Sequence, residues 1–183
     1  MVSFYTRTGD DGSTGLLGEG RILKDHPITE AIGNLDESNA AIGLARAFCI
    51  TNRCATLLLS IQRDLYHIMA EISATPANAE HFRKINEDKV CWLEYEIDLL
   101  ITEVEIPKDF IIPGDTKTGA ILDLARTFIR KAERSVVRLI QSGDIENSHL
   151  LSYLNRLSSL FFVMELFEDR AAGVVKPRLA KEE

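Results

Sequence analysis

Cysteine is scarce in this chain: Cys49, Cys54 and Cys91 are odd in number and form no C-x-x-C pair. That excludes a disulfide framework or a cysteine zinc site and favours reduced thiols in the core. Proline occurs only five times and aromatics make up 7 % of the residues, which suits a helical protein better than a disordered or all-β one. Long apolar runs are missing too, none approaching the roughly 18 residues of a membrane span. The start Met1-Val2-Ser3-Phe4-Tyr5-Thr6-Arg7 has no apolar signal region, so the expectation is a cytoplasmic protein without membrane attachment. Positive charge is also in deficit. A net charge of -7 and a pI near 5.2 exclude general nucleic-acid binding, while leaving room for a local anion site. What is present is 45 % hydrophobic residues in 183, enough for one domain with a proper core and no internal repeat.

Periodicity predicts an all-α protein with five helical stretches after an irregular, glycine-rich segment at 1–27. Helix one runs from about Thr29 to Cys49, with Ile28, Ile32, Leu35, Ile42 and Ala45 on one face, Asp36 at its margin and Asn39 pointing inward. Helix two, near Arg53 to Ala74, repeats Leu57, Leu58, Ile61, Leu65, Ile68, Met69 and Ile72. A polar loop, Thr75 to Asn86, leads to helix three, near Glu87 to Glu105, with Val90, Leu93, Ile97, Leu100, Ile101 and Val104 inward and Pro107 beyond its end. Phe110-Ile111-Ile112-Pro113-Gly114-Asp115 is an apolar loop. Helix four stops near Gly143, a suitable residue just past a helix end. Helix five runs from about Asn147 to Ala172, with Leu150, Tyr153, Leu157, Phe161 and Met164 inward, and the tail from Lys176 to Glu183 frays. The bundle thus occupies 28–172, with a tail at 173–183.

Helix four carries the chain's local reversal of charge. Arg126, Arg130 and Glu133 fall within about 60° of one another, beside the apolar arc of Leu122, Ala125, Ile129, Ala132 and Val136. They are expected half-buried, the inner guanidiniums held by carboxylates, while Arg134 and Arg138 turn outward toward phosphate oxygens. A solvated stripe of i,i+4 charges is the bland alternative. The glycine-rich start, from Tyr5 to Gly20 followed by Lys24, has the composition of a phosphate cradle. Glycines let N–H groups approach an anion, Thr and Ser add hydroxyls, and Arg7 and Lys24 add charge. Neither a P-loop nor a dinucleotide fingerprint is present, and a flexible arm would explain the same residues.

No nucleophile or metal set stands out. His26, His67, His81 and His149 are scattered, and Glu146-Asn147-Ser148-His149 gives one copy of a Glu-x-x-His motif that di-iron bundles need twice. Any substrates must bring their own reactivity.

Five ordered motifs cover most of the chain. They are Thr6-Arg7-Thr8-Gly9-Asp10-x-Gly12-x-Thr14, Asp36-Glu37-x-Asn39, Phe110-Ile111-Ile112-Pro113-Gly114, the Arg126/Arg130/Glu133/Arg134 helix, and Tyr153-Leu154-Asn155-Arg156-Leu157-Ser158. Together they resemble the ATP:cob(I)alamin adenosyltransferases. The resemblance implies a five-helix up-and-down bundle that forms a homotrimer, with ATP and a corrinoid bound between subunits and Mg2+ on the phosphates. It implies that Thr6, Arg7, Thr8, Gly9, Ser13, Thr14 and Lys24 wrap ATP, and that Arg130, Lys131, Glu133 and Arg134 hold its triphosphate with Asn155. Asp36 is implied to pair with Arg126 across the subunit interface, and Glu133 to join the ATP site or hold Arg130. Phe110 is implied to lie beneath the corrin with Phe162 beside it. Cob(I)alamin is then the nucleophile that attacks the 5′ carbon of ATP and expels triphosphate, helped by Arg126 and Arg130. An electron-donating reductase and an adenosylcobalamin-dependent enzyme are the implied partners.

Two positions depart from the family pattern: Asp115 stands where Pro-Gly-Gly is usual, and Ser159 where Ser-Asp is usual. They keep open a non-catalytic nucleotide- or corrinoid-delivering bundle and, more remotely, a ferritin-like metal bundle.

Overall fold

The computed structural model describes residues 5–181, so Met1 to Phe4 of the expected N-terminal segment and the last two residues of the expected tail lie outside the described residues. Its elements, in order, are strands β1 (Ser13–Gly15) and β2 (Arg21–Leu23), then helices α1 (Pro27–Phe48), α2 (Asn52–Ser73), α3 (Ala79–Phe82), α4 (Glu87–Ile101), α5 (Lys117–Gln141) and α6 (His149–Ala171). The five long helices run up and down as expected, in the lateral order α2, α1, α5, α6, α4. Two additions break the predicted pattern. The glycine-rich segment contains an antiparallel hairpin that pairs Thr14 with Ile22, and the polar loop contains the single turn of α3.

Local chemistry sets each helix start. Pro27 needs no N–H at the first turn of α1, where the His26 ring accepts from the Ile28 amide. Thr51, Asn86 and Thr116 cap α2, α4 and α5 by accepting amides three residues on. Gly143, at φ 82°, ends α5 in the left-handed conformation that costs a glycine nothing.

The predicted stripes of α2, α5 and α6 fill the core, where Leu58, Ile61, Leu65, Leu122, Ile129, Val136, Leu157 and Phe161 are fully buried. By length and hydropathy α6 also passes for a membrane span. Its burial against α5, α4 and α2, and its own buried Glu165, Glu168 and Asp169, make it a core helix of the bundle. Glu168 accepts the Ile50 and Thr51 amides at 2.7 and 3.1 Å, tying the end of α6 to the turn into α2. At the opposite end Glu71 accepts from Arg83 and Asn147, and burial raises its carboxyl above the usual range.

Several expectations on burial fail. Asn39 is only half-buried, though its Oδ1 does point inward and finds no hydrogen-bond partner; the buried amide of α1 is Asn34, whose Nδ2 donates to Ser135 at 2.7 Å. Helix α4 ends at Ile101, short of Glu105, and leaves Ile101 exposed, because the chain turns at Thr102 well before Pro107. Of the cysteines, Cys54 is buried, but Cys49 is only partly covered and Cys91 is exposed; desolvation pushes the Cys49 and Cys54 thiols up to about 12.

The tail does not fray where it is described. Ile112 N–H donates to the Arg178 carbonyl and Ala180 N–H to the Phe110 carbonyl, both at 2.8 Å. The Asp115 carboxylate accepts from the Arg178 amide at 3.0 Å and pairs with its guanidinium at 3.2 Å. Asp115, the departure in the loop, is therefore the anchor that holds residues 178–180 beside Phe110, where Ile111 and Leu179 form an isolated antiparallel bridge.

Candidate functional site

A cavity of about 330 Å³ opens between the Phe110 loop and the α5/α6 seam, lined by Lys108, Asp109, Phe110, Ile111, Pro113, Asp123, Arg126 and Phe162. It brings together three residues nominated from sequence: Phe110, Phe162 and Arg126. Phe110 stands at its rim with 86 % of its surface exposed, an uncommon position for a phenylalanine. Arg126 is half-buried as expected, but its partner is Asp123, one turn back, whose Oδ1 accepts both Nε and Nη2 at 2.7 Å. The i,i+3 spacing of Asp123 and Arg126 was visible in the sequence, and Asp123 is a lining residue that the reading missed.

Asp36 does not meet Arg126 within the chain. It is exposed on α1, and no ion pair joins the two. Arg130 was expected half-buried and held by a carboxylate. It is exposed instead, and among the described residues neither it nor Arg134 has a hydrogen bond or ion pair, so both guanidiniums stand free in the chain. Glu133 turns to Asn155 rather than Arg130, accepting Nδ2 at 3.0 Å across the α5/α6 seam. Asn155 Oδ1 in turn accepts from Arg156, which reaches Glu94 at 2.8 Å. Lys131 is tied to Glu37 of α1 at 2.8 Å. Arg138 faces Glu30 at 3.6 Å.

The glycine-rich segment forms an ordered cradle. Arg21, which the sequence reading passed over, donates to the Thr8 and Ser13 carbonyls and to Ser13 Oγ. Asp11 accepts the Ser13 amide and hydroxyl, and these bonds hold its carboxyl below the usual range. Lys24 Nζ donates to the Gly9 carbonyl at 2.7 Å, and a Cβ on Gly9 would stand 3.1 Å from that ammonium, so glycine alone fits there without displacement. Thr6 and Thr8 join hydroxyls at 2.8 Å around Arg7, whose φ of 61° is left-handed and strained for a side-chain-bearing residue. The hairpin is anchored through Leu17 to Ser73 and Thr75 at the end of α2. Residues 6–24 make no hydrogen bond to α5, so within one chain no polar contact joins the cradle to the arginine stripe.

No group of three or more His, Cys, Asp or Glu among the described residues is placed to hold a metal ion. The single Glu146/His149 pair gains no companions.

The cobalamin adenosyltransferase family model matches residues 4–168. The chain is similar to a corrinoid adenosyltransferase of Bacillus subtilis, 37 % identical over 94 % of this chain and 90 % of that one. It is 36 % identical to the PduO corrinoid adenosyltransferase of Salmonella typhimurium over 93 % of this chain, spanning about half (51 %) of that protein. Its structure resembles that of a single-residue variant of a PduO-type ATP:corrinoid adenosyltransferase from Lactobacillus reuteri, complexed with cobalamin and ATP. The TM-score is 0.89 at 30 % identity, covering 98 % of this chain and all of that one. With nine-tenths of its length matched by the family model, the chain belongs to the cobalamin adenosyltransferase family.

Proposed function

We propose that the protein transfers the 5′-deoxyadenosyl group of ATP to Co(I) of a reduced corrinoid, giving adenosylcobalamin and triphosphate. The observation that carries the reading is the cavity where exposed Phe110, Phe162 and Arg126 meet: a cationic group beside an aromatic wall in a chain with no assigned nucleophile. The Co(I) electron pair forms the Co–C bond as the C5′–O bond breaks, and triphosphate leaves with the bonding electrons. The protein supplies placement and charge. Phe110 and Phe162 cover the lower face of the corrin and keep base or water from cobalt. Arg130 and Arg134, free in the chain, take the developing charge of the leaving group with Lys131, while Glu133 and Asn155 fix the floor of that site. Thr6, Arg7, Thr8, Gly9, Ser13, Thr14 and Lys24 wrap the nucleotide, whose phosphates carry Mg2+.

The active unit is a homotrimer with each site between protomers. Two features support this: no hydrogen bond joins the cradle to α5 of its own chain, and Asp36 is exposed on α1 rather than paired with Arg126. Electrons that reduce Co(II) come from a separate reductase, the product passes to an adenosylcobalamin-dependent enzyme, and the setting is the cytoplasm. Incubation with MgATP and chemically reduced cobalamin tests the reading by the absorbance of adenosylcobalamin and an equal yield of triphosphate. ATP binding without product would instead mean a delivery protein.

A further inference from the structure

Three residues along α6 from Phe162, and so on nearly the same face, Glu165 is 0 % exposed, and neither of its carboxylate oxygens has a hydrogen-bond partner. A buried carboxyl without a partner is rare. The charged groups acting on it are Asp123 and Arg126 from α5, Asp169 one turn further along α6, and Asp115 from the loop before α5. Burial chiefly, then Asp123 and Asp169, raise its pKa to about 8 against the opposing pull of Arg126. At neutral pH the acid is therefore mostly neutral and carries an O–H that needs an acceptor. Asp123, the foremost of its charged neighbours, is half-engaged: Oδ1 takes both N–H groups of Arg126, which leaves Oδ2 open.

We propose that Glu165 is a positioning residue for the Arg126 side of the corrinoid cavity: its neutral carboxyl, unpartnered as it stands, turns to donate its O–H to Asp123 Oδ2. Asp123 is itself largely buried, with 15 % of its side chain exposed, and losing Arg126 would leave it a bare carboxylate in a poor solvent. A shared proton from Glu165 removes that obstacle. Arg126 is then free to turn toward a substrate or a neighbouring protomer. Once Glu165 ionises, two adjacent carboxylates hold the guanidinium in place, and the cavity loses its mobile cation. The inference rests on the adenosyltransferase reading for its kinetic consequence alone; the proton pairing belongs to the free protein.

The test uses the full chain with MgATP and reduced cobalamin, comparing wild type, E165Q and E165L from pH 6 to 9.5. The expected wild-type kcat falls roughly tenfold per pH unit above about pH 8, while KM for ATP stays constant. E165Q retains a donor to Asp123 and lacks that alkaline limb; E165L has no donor and runs at least fivefold below E165Q at pH 7. An alkaline limb that persists in E165Q overturns the proposal, as does an E165L enzyme with the wild-type profile. Carbon-13 NMR of the glutamate carboxyls in the free protein decides the pairing independently of turnover. One resonance should titrate near pH 8, vanish in E165Q and move in D123N; titration of Glu165 in the ordinary carboxylate range refutes it. If wild type makes no adenosylcobalamin, the functional reading fails, and the NMR result still stands or falls alone.

Discussion

Phe110→Ala separates a functional aromatic from a structural one. With 86 % of Phe110 exposed, folding covers only about a seventh of a side chain whose full burial removes roughly 150–250 Å² from water. At about 25 cal/mol per Å² its folding contribution is ~0.7 kcal/mol. The truncated protein should therefore melt only about 2 °C lower. A corrinoid lying on the ring would cover the remaining ~170 Å², worth about 4 kcal/mol on the same scale. The corrinoid kcat/KM should fall two to three orders of magnitude while KM for ATP stays within about twofold. Steady-state assays varying each substrate, with scanning calorimetry of the free protein, read both numbers. A melting temperature lowered by some 10 °C, or an unchanged corrinoid kcat/KM, would show that Phe110 is core or idle.

Because the Glu165 pKa is raised from 4.5 to about 8, the folded protein keeps a proton that the unfolded chain releases. Stability therefore falls as pH rises from about 4.5 to 8 and levels off above, and Glu165→Gln should flatten that decline by roughly 3–5 kcal/mol in urea titrations; parallel curves would contradict it. Arg178→Ala breaks a pair with Asp115 whose arginine side is 81 % exposed. The stability loss should stay under about 1 kcal/mol, yet KM for corrinoid should rise severalfold as the Phe110 loop loosens, and an unaltered KM would mean the tail plays no part. Asp36→Ala should leave the protomer's stability within about 0.5 kcal/mol, because Arg126 keeps Asp123, but should weaken assembly in sedimentation velocity. Full assembly and activity would remove Asp36 from the interface. Arg130→Ala should lose roughly 2–4 kcal/mol of transition-state stabilisation, read in single-turnover kcat; wild-type turnover would reject its role.

The bundle was legible because its apolar stripes are local. Leu122, Ala125, Ile129, Ala132 and Val136 recur at helical spacing, and every one is buried. What escaped depends on contacts between segments distant in sequence. Nothing in residues 176–181 announces the bridge to the Phe110 loop until Asp115 is placed beside Arg178, 63 residues away. The angular position of Arg130 gave its distance from the apolar arc but not whether a neighbouring helix would cover it, and none does. Glu133 reads from sequence as joining the ATP site or holding Arg130, and its bond to Asn155 on the next helix, rather than to Arg130, appears only once α5 and α6 are packed. Glu165 lay hidden within the run Phe161-Phe162-Val163-Met164-Glu165-Leu166-Phe167, where a lone acid suggests an outward turn. Only the packing of α5 on α6 seals it inside.

The central claim is that a cradle from one protomer and an arginine stripe from another close on a single triphosphate. A crystal structure with MgATP tests it most directly. The account predicts Thr6 to Gly9 and Lys24 of one protomer facing Arg130 and Arg134 of its neighbour across the phosphates. Nucleotide bound to one protomer alone, or with its phosphates remote from the arginines, would contradict it.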